Sequence, residues 1–289
     1  MDWTSPAPAK VNLCLTITGR RPDGYHNLVS LAAFTQFGDQ LTISDDAADG
    51  LTITGPFASD LHNTRADNLL LKTKAAVLSA GFLLPDHHIY LNKQIPVSSG
   101  LGGGSSDVAA YLRCIADMMA LNQTDRERLF ALGGQIGADV PVCLRPGYQI
   151  MTGTGTDVKP VAVDDGPVFC VLSNPGVAVS TQAVFAALSN AADTEAKANQ
   201  ALSSPIQLAE IVARGNDLYA PASTACPEIS TLLTEMNKLS ASDPFIGRAM
   251  SGSGASCFAL THAEQAAEKL TQQLKSAGYW AVSTQLISS

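Results

Sequence analysis

Just ahead of an apolar helical pattern, the run Pro96, Val97, Ser98, Ser99, Gly100, Leu101, Gly102, Gly103, Gly104, Ser105, Ser106 concentrates glycine and serine. A helix start leaves about four backbone N–H groups without intrahelical partners, and its dipole adds roughly half a positive charge there. Glycines ahead of such a start remove the side chains that would keep a phosphate from those donors. Ser105 and Ser106 offer oxygens that could cap the helix or reach a phosphate or a metal ion. A loop that merely turns a strand into a helix explains neither the number of glycines nor their placement. Two familiar cradles do not fit. A Walker A loop needs lysine where Ser105 stands, and the dinucleotide fingerprint needs glycine at that same position.

Lys10 and Asn12 alternate on one face of an extended segment, so their side chains leave the strand about 7 Å apart. A lysine there is either solvated or chemical. Asp139, in "GGQIGADVPVC", is a lone acid among small and apolar residues. It is either the N-cap of a short helix or a carboxylate held for use in a site. Tyr25 and His26 follow a Pro-Asp-Gly turn that could aim them into a cleft, and a second glycine loop, Gly252 and Gly254, leads into a strand. His87–His88 has no carboxylate or cysteine at metal-ligand spacing. No H-E-x-x-H, G-x-S-x-G or EF-hand pattern occurs, which removes support for zinc hydrolase, α/β-hydrolase and calcium-binding readings.

These residues need elements to place them. "KVNLCLTIT" alternates as a half-buried strand, with Val11, Leu13, Leu15 and Ile17 on one face. Further strands are expected over 28–37, 40–44 and 51–54, the last two as a hairpin around "DDAADG", and another over 88–92. A helix is expected after an Asp67 N-cap, stopped by Gly81. Helix 105–121 carries the stripe Val108, Leu112, Ile115 and Met119, and the next opens with a Thr124–Glu127 capping box. Strands near 168–173, 256–260 and 280–286 mix with helices near 181–188, 228–239 and 263–277. "NAADTEAKANQALSSP" reads as a mobile polar connector. The mixture predicts an α+β fold, and a composition change near residue 155 divides it into domains 1–155 and 156–289.

Composition sets the outer bounds. The chain has 289 residues, 46% hydrophobic and 15% charged, which predicts a globular protein with a sizeable core. A net charge of −8 without a lysine or arginine run argues against nucleic acid or anionic membrane as a partner. The start "MDWTSPAPAK" lacks secretory-signal features, no apolar run is long enough to span a bilayer, and six scattered cysteines read as buried reduced thiols. A cytoplasmic protein is expected.

Three stretches in order, "PAKVNL", "PVSSGLGGGSSD" and "SGSGASCF", resemble the GHMP kinases, and the resemblance spans most of the chain. The longer stretches "GRRPDGYHNL" and "GADVPV" resemble the branch that phosphorylates the 2-hydroxyl of a cytidine-diphosphate-linked polyol in non-mevalonate isoprenoid precursor synthesis. The resemblance implies a two-domain GHMP kinase fold with the active-site cleft between the domains, ATP as phosphoryl donor, and Mg²⁺. It implies Lys10 and Asp139 as the catalytic pair, Asp139 as general base and Lys10 as charge stabiliser. Asn12, Tyr25, His26 and Phe185 match substrate contacts, with Tyr25 and Phe185 on opposite faces of the cytosine. Pro96 through Ser106 match the ATP phosphate loop, Asn68 and Lys93 match positions near the adenine, and "GSGAS" matches a segment that closes over the site. Ser98 and Ser99 stand where the family often has glycine. No motif assigns the metal ligands. Other readings stay open: a GHMP kinase for mevalonate, homoserine or a sugar, and a non-catalytic nucleotide- or sugar-binding protein of the same fold.

Overall fold

The computed structural model describes residues 1–62, 68–188 and 206–288. In chain order the first elements are β1 (Asp2–Arg20), β2 (His26–Ser44), β3 (Gly50–Thr54), α1 (Ser59–His62), α2 (Leu69–Ser79), β4 (His88–Asn92), α3 (Gly103–Met118), α4 (Gln123–Ile136) and α5 (Val140–Cys143). Then come β5 (Gln149–Thr152), β6 (Asp157–Pro160), β7 (Phe169–Asn174), α6 (Thr181–Ala186), α7 (Leu208–Ala213), α8 (Tyr219–Ala225), α9 (Glu228–Leu239), β8 (Phe245–Met250), β9 (Cys257–Thr261), α10 (Glu264–Ser276) and β10 (Trp280–Gln285). The expected connector "NAADTEAKANQALSSP" lies outside the described residues. Among the described residues no helix is long and apolar enough to cross a membrane.

By packing, the chain forms two compact units that interleave in sequence. Unit one comprises Met1–Ala9, Gly38–Val97 and Gly102–Arg145; unit two comprises Lys10–Phe37, Ser98–Leu101 and Pro146–Ser289. The expected cut near residue 155 follows chain order, whereas the long strands β1 and β2 each give residues to both units. The division after Arg145 falls where α5 ends and the chain turns toward β5.

In unit one, the later part of β2 pairs antiparallel with β4, and β3 pairs parallel with the same strand. The hairpin expected between 40–44 and 51–54 is therefore absent, because β4 takes the place between them. The apolar register explains this outcome. Ile89 sits opposite both Ile43 and Leu51, and Leu91 opposite Leu41 and Ile53, so one strand fills the face that two others need covered. A parallel pair needs a crossover, and the segment carrying α2 supplies it. That helix is capped by Asn68, whose side chain accepts from the Leu70 N–H. The expected cap, Asp67, is outside the described residues. Helix α4 is capped by Asn122, which accepts from Asp125 N–H and donates to the Asp125 carboxylate. The Thr124–Glu127 box is thus displaced by a cap two residues earlier.

In unit two, an antiparallel sheet runs β10-β7-β9-β8. Helix α10 lays Ala266, Ala267, Leu270 and Leu274 onto it at helical spacing. The earlier part of β2 pairs with β5, and β5 turns back into β6 through Gly153–Gly155. The strand expected from "KVNLCLTIT" is present, but it is buried on both faces rather than one: Lys10, Asn12 and Cys14 are as enclosed as Val11 and Leu13. All six cysteines are buried and none is joined in a disulfide. Helices and two sheets in separate arrangements make the fold α+β, as expected.

Candidate active site

Helix α3 begins at Gly103, two residues before its expected start. Its N-cap is Gly102, left-handed at φ 66° and without a side-chain cap bond. The expectation that Ser105 or Ser106 caps the helix therefore fails, since both already lie inside it. Ser106 is buried, and its hydroxyl donates to the Pro8 carbonyl at 2.7 Å, which commits it to the fold. Ser105 is half-buried, and its Oγ lies 3.7 Å from where a Gly137 Cβ would be, placing the Asp139 loop against the first turn of α3. Ahead of the helix, Ser98 and Gly100 also have positive φ, 53° and 78°. Left-handed residues at alternate positions are the backbone pattern that turns successive N–H groups inward as an anion nest. A helix start with no side chain on its first donors then follows directly.

In unit two the loop residues are held by the second glycine loop. Ser251 donates to Gly100 O at 3.0 Å and accepts from Asn12 N–H at 3.1 Å, while Ser256 N–H donates to Ser99 O at 2.9 Å. A Cβ on Gly100 would come within 2.5 Å of Ser251 O and 2.7 Å of Gly254 O, so the two loops meet backbone to backbone. Lys10 N–H donates to Leu101 O at 2.9 Å. Lys10 is 3% exposed, which discards the solvated reading. Asn12 is equally enclosed, and its Nδ2 donates to Ser30 Oγ at 2.8 Å, which in turn donates to Cys14 O.

Asp139 precedes α5 in unit one with αR backbone angles, and its side chain makes no cap bond to that helix. The N-cap reading thus lacks its defining hydrogen bond. Near the other candidates of unit two, Tyr25 is 67% exposed, and His26 stands 5.6 Å from Phe185, ring centroid to centroid. Burial, with the Arg20 charge adding to it, holds the His26 imidazole below its usual pKa, so it is neutral at pH 7. Phe185 sits on the short helix α6, half-buried. The ring that Phe185 meets is therefore that of His26.

Lys93 and Asn68 were expected near the adenine. Asn68 spends its Oδ1 on capping α2. Lys93 is 2% exposed, and its ammonium donates to Asp39 Oδ2 at 2.5 Å and Asp107 Oδ2 at 2.8 Å. Burial alone would lower its pKa, but the two carboxylates outweigh that and hold it raised. Burial pushes the Asp107 carboxyl up to about 7, against the pull of Lys93. Sequence reading missed Asp39, Asp107, Ser30 and Ser251. Asp107 stands directly after "GGGSS", a place that could have singled it out, but nothing near Asp39 marks it.

Among the described residues no three His, Cys, Asp or Glu side chains gather so as to hold a metal ion. Mg²⁺ at phosphoryl-transfer sites takes most ligands from phosphate oxygens and water, with one or two from protein. The oxygen donors beside the start of α3, Ser105 Oγ and the Asp139 loop, fit an ion held in that way.

The chain matches the model of the GHMP kinases N terminal domain over residues 68–147 and that of the GHMP kinases C terminal domain over 196–279. It is 41% identical to a 4-diphosphocytidyl-2-C-methyl-D-erythritol kinase of Dinoroseobacter shibae, covering 97% of this chain and 93% of the relative. The identically named protein of Parvibaculum lavamentivorans is 39% identical, covering 96% of each. A crystal structure of 4-(cytidine 5'-diphospho)-2C-methyl-D-erythritol kinase aligns with TM-score 0.77 at 31% identity, over 99% of this chain and all of that one. A homoserine kinase from Cytophaga hutchinsonii shares the fold at TM-score 0.62 and 18% identity, covering 99% of this chain and 95% of that one. The chain belongs to the GHMP kinase family of ATP-dependent small-molecule kinases, and within it to the 4-diphosphocytidyl-2-C-methyl-D-erythritol kinase group.

Proposed function

We propose that this enzyme transfers the γ-phosphoryl group of ATP to the 2-hydroxyl of 4-diphosphocytidyl-2-C-methyl-D-erythritol. The observation that carries the reading is full-length similarity, at 39–41% identity, to relatives bearing that substrate in their names. In the reaction a bond forms between the 2-oxygen and the γ-phosphorus, the bond from that phosphorus to the β-bridging oxygen breaks, and ADP leaves. Phosphoryl transfer asks the protein mainly for positioning and charge stabilisation. Asp139 accepts the proton of the 2-hydroxyl as general base. Lys10, held in place by its enclosed strand, stabilises the charge developing on the transferred group. The amide donors of Ser98–Gly104 bind the triphosphate, and Asn12 with Tyr25, His26 and Phe185 holds the cytidine end of the acceptor. Mg²⁺, when bound, would offset charge on the phosphates, and Ser105 Oγ could supply it one protein oxygen.

The matched family segments, 68–147 and 196–279, fall within 1–155 and 156–289, which supports these as the two family domains. Six buried thiols, none in a disulfide, support a reducing, cytoplasmic setting. The test is an ADP-release assay with and without the cytidine-diphospho-methylerythritol acceptor. Release that depends on this acceptor is expected. Release with mevalonate, homoserine or galactose instead would move the enzyme to another GHMP branch, and saturable ATP binding without release would make it a sensor.

A further inference from the structure

Beneath the glycine run, unit one encloses three charged side chains against one another. Lys93 Nζ bridges Asp39 Oδ2 and Asp107 Oδ2, and all three residues are buried. The second oxygen of Asp39 accepts the backbone N–H groups of Gln94 and Ile95, at 2.5 and 2.8 Å. That carboxylate therefore fixes the chain as it leaves β4 for the loop. Asp107 stands one turn into α3, so its bond to Lys93 grips the helix close to its start. The lysine head also lies against the first helical residue: a Cβ built on Gly103 would fall 2.9 Å from Nζ and 3.2 Å from Ile95 Cγ2.

Stability alone is a poor explanation for this cluster. Taking charges out of water costs several kcal/mol per ion, and apolar replacement of a buried ion pair is often neutral or stabilising. Among the described residues the second, buried Asp107 oxygen has no hydrogen-bond partner, so the cluster is not even fully satisfied. What the three side chains achieve is geometric: they join two backbone segments that flank the glycines. Resting on the nucleotide-binding role proposed for this loop, we propose that Lys93 is a positioning residue. Through Asp107 it fastens the start of α3 to the Gln94–Ile95 segment held by Asp39, and so sets the amide donors that meet the nucleotide's phosphates. Its ammonium, committed to the two carboxylates, is not a ligand of the nucleotide's phosphates.

The test compares AMP, ADP and ATP binding by calorimetry in wild type, K93M and D107N, with thermal melts alongside. Wild type should bind ATP far more tightly than AMP. Both variants should bind AMP within about threefold of wild type. They should also lose roughly tenfold or more of the affinity that ATP gains over AMP, because small misplacements of positioned groups are costly. A purely structural role would lower the melting temperature and leave that phosphate increment unchanged in the folded protein, which would overturn the proposal. Equal losses for AMP and ATP would also overturn it, since the lysine would then be touching the adenosine end. K93M leaves two buried carboxylates without a counter-ion. Where it does not fold, the double variant K93M/D107N, which removes one charge of each sign, is held to the same criteria. A wild type that binds ATP no better than AMP would instead refute the nucleotide role of the loop, and the proposal with it.

Discussion

Gly104→Ala separates a glycine needed by the fold from one needed by a ligand. Gly104 is the second residue of α3, exposed, and among the described residues a Cβ there would meet nothing within 4 Å. Local physics favours alanine at such a place, because glycine costs about 0.5–1 kcal/mol in a helix relative to alanine. First-turn residues recover only part of this, so the expected gain is a few tenths to about 1 kcal/mol, or roughly 1–3 °C in Tm. Under the proposed function the same methyl group stands among donors that phosphate oxygens must approach to about 2.9 Å. Losing one such charged hydrogen bond costs about 1.5–3 kcal/mol, which is roughly a 10- to 100-fold rise in KM for ATP. The assay is ADP release with ATP varied at saturating acceptor, paired with a thermal melt. G104A should thus be the more stable protein and the poorer ATP binder. A variant with raised Tm and a KM for ATP within twofold of wild type would refute the phosphate-cradle reasoning.

Other expectations follow from the same geometry. D139N should lower kcat by roughly 10²- to 10⁴-fold while calorimetric ATP affinity stays near wild type; near-normal turnover would remove Asp139 as the base. F185A should raise KM for the cytidine acceptor about 5- to 100-fold, since stacking contributes roughly 1–3 kcal/mol per base, without altering KM for ATP. The same change uncovers His26, so its imidazole pKa, followed by NMR, should rise toward the usual value. Asp107, facing Lys93 and Asp39, has a folded pKa raised to about 7 from an ordinary 3.8. Its stabilising contribution is complete below about pH 4 and is lost as pH rises through 7. D107N should therefore show a flatter Tm-against-pH curve between pH 5 and 7.5 than wild type, and identical slopes would refute the raised carboxyl.

Period and local turn chemistry were legible in the sequence. The alternation of β1, the strand 88–92 and the helix after the glycine run appear where the apolar spacing puts them. What failed was set by distant partners. The polar face of β1 is buried because Ser251 and Ser30 close over Asn12, some 240 and 20 residues away in the chain. The hairpin from 40–44 to 51–54 is replaced because β4 comes between the two, with Ile89 and Leu91 opposite apolar residues of both strands. Helix starts slipped by a residue or two where several cap-forming residues stand together, as with Asn122 and Thr124. In the candidate site, the neighbourhoods of Lys10 and Asp139 left a solvated lysine and an N-cap acid open, and only the family resemblance singled the two out as a pair. The task of Lys93 could not be read there either, because Asp39 lies 54 residues from it.

The glycine run shows why residue type alone says little about function. Gly100 is required by its left-handed backbone and by the carbonyls of Ser251 and Gly254, which a Cβ would strike. Gly102 is favoured by its left-handed cap geometry. At Gly103 a Cβ would crowd the Lys93 ammonium, which two carboxylates hold in place. At these three, backbone strain or a close contact disfavours a side chain even in a protein that bound nothing. Gly104 has open space around it and a helical backbone that alanine suits better. Under the proposed function its lack of a side chain leaves room for the anion that the amide donors beside it would meet. Function is most visible at the position where the fold makes no demand.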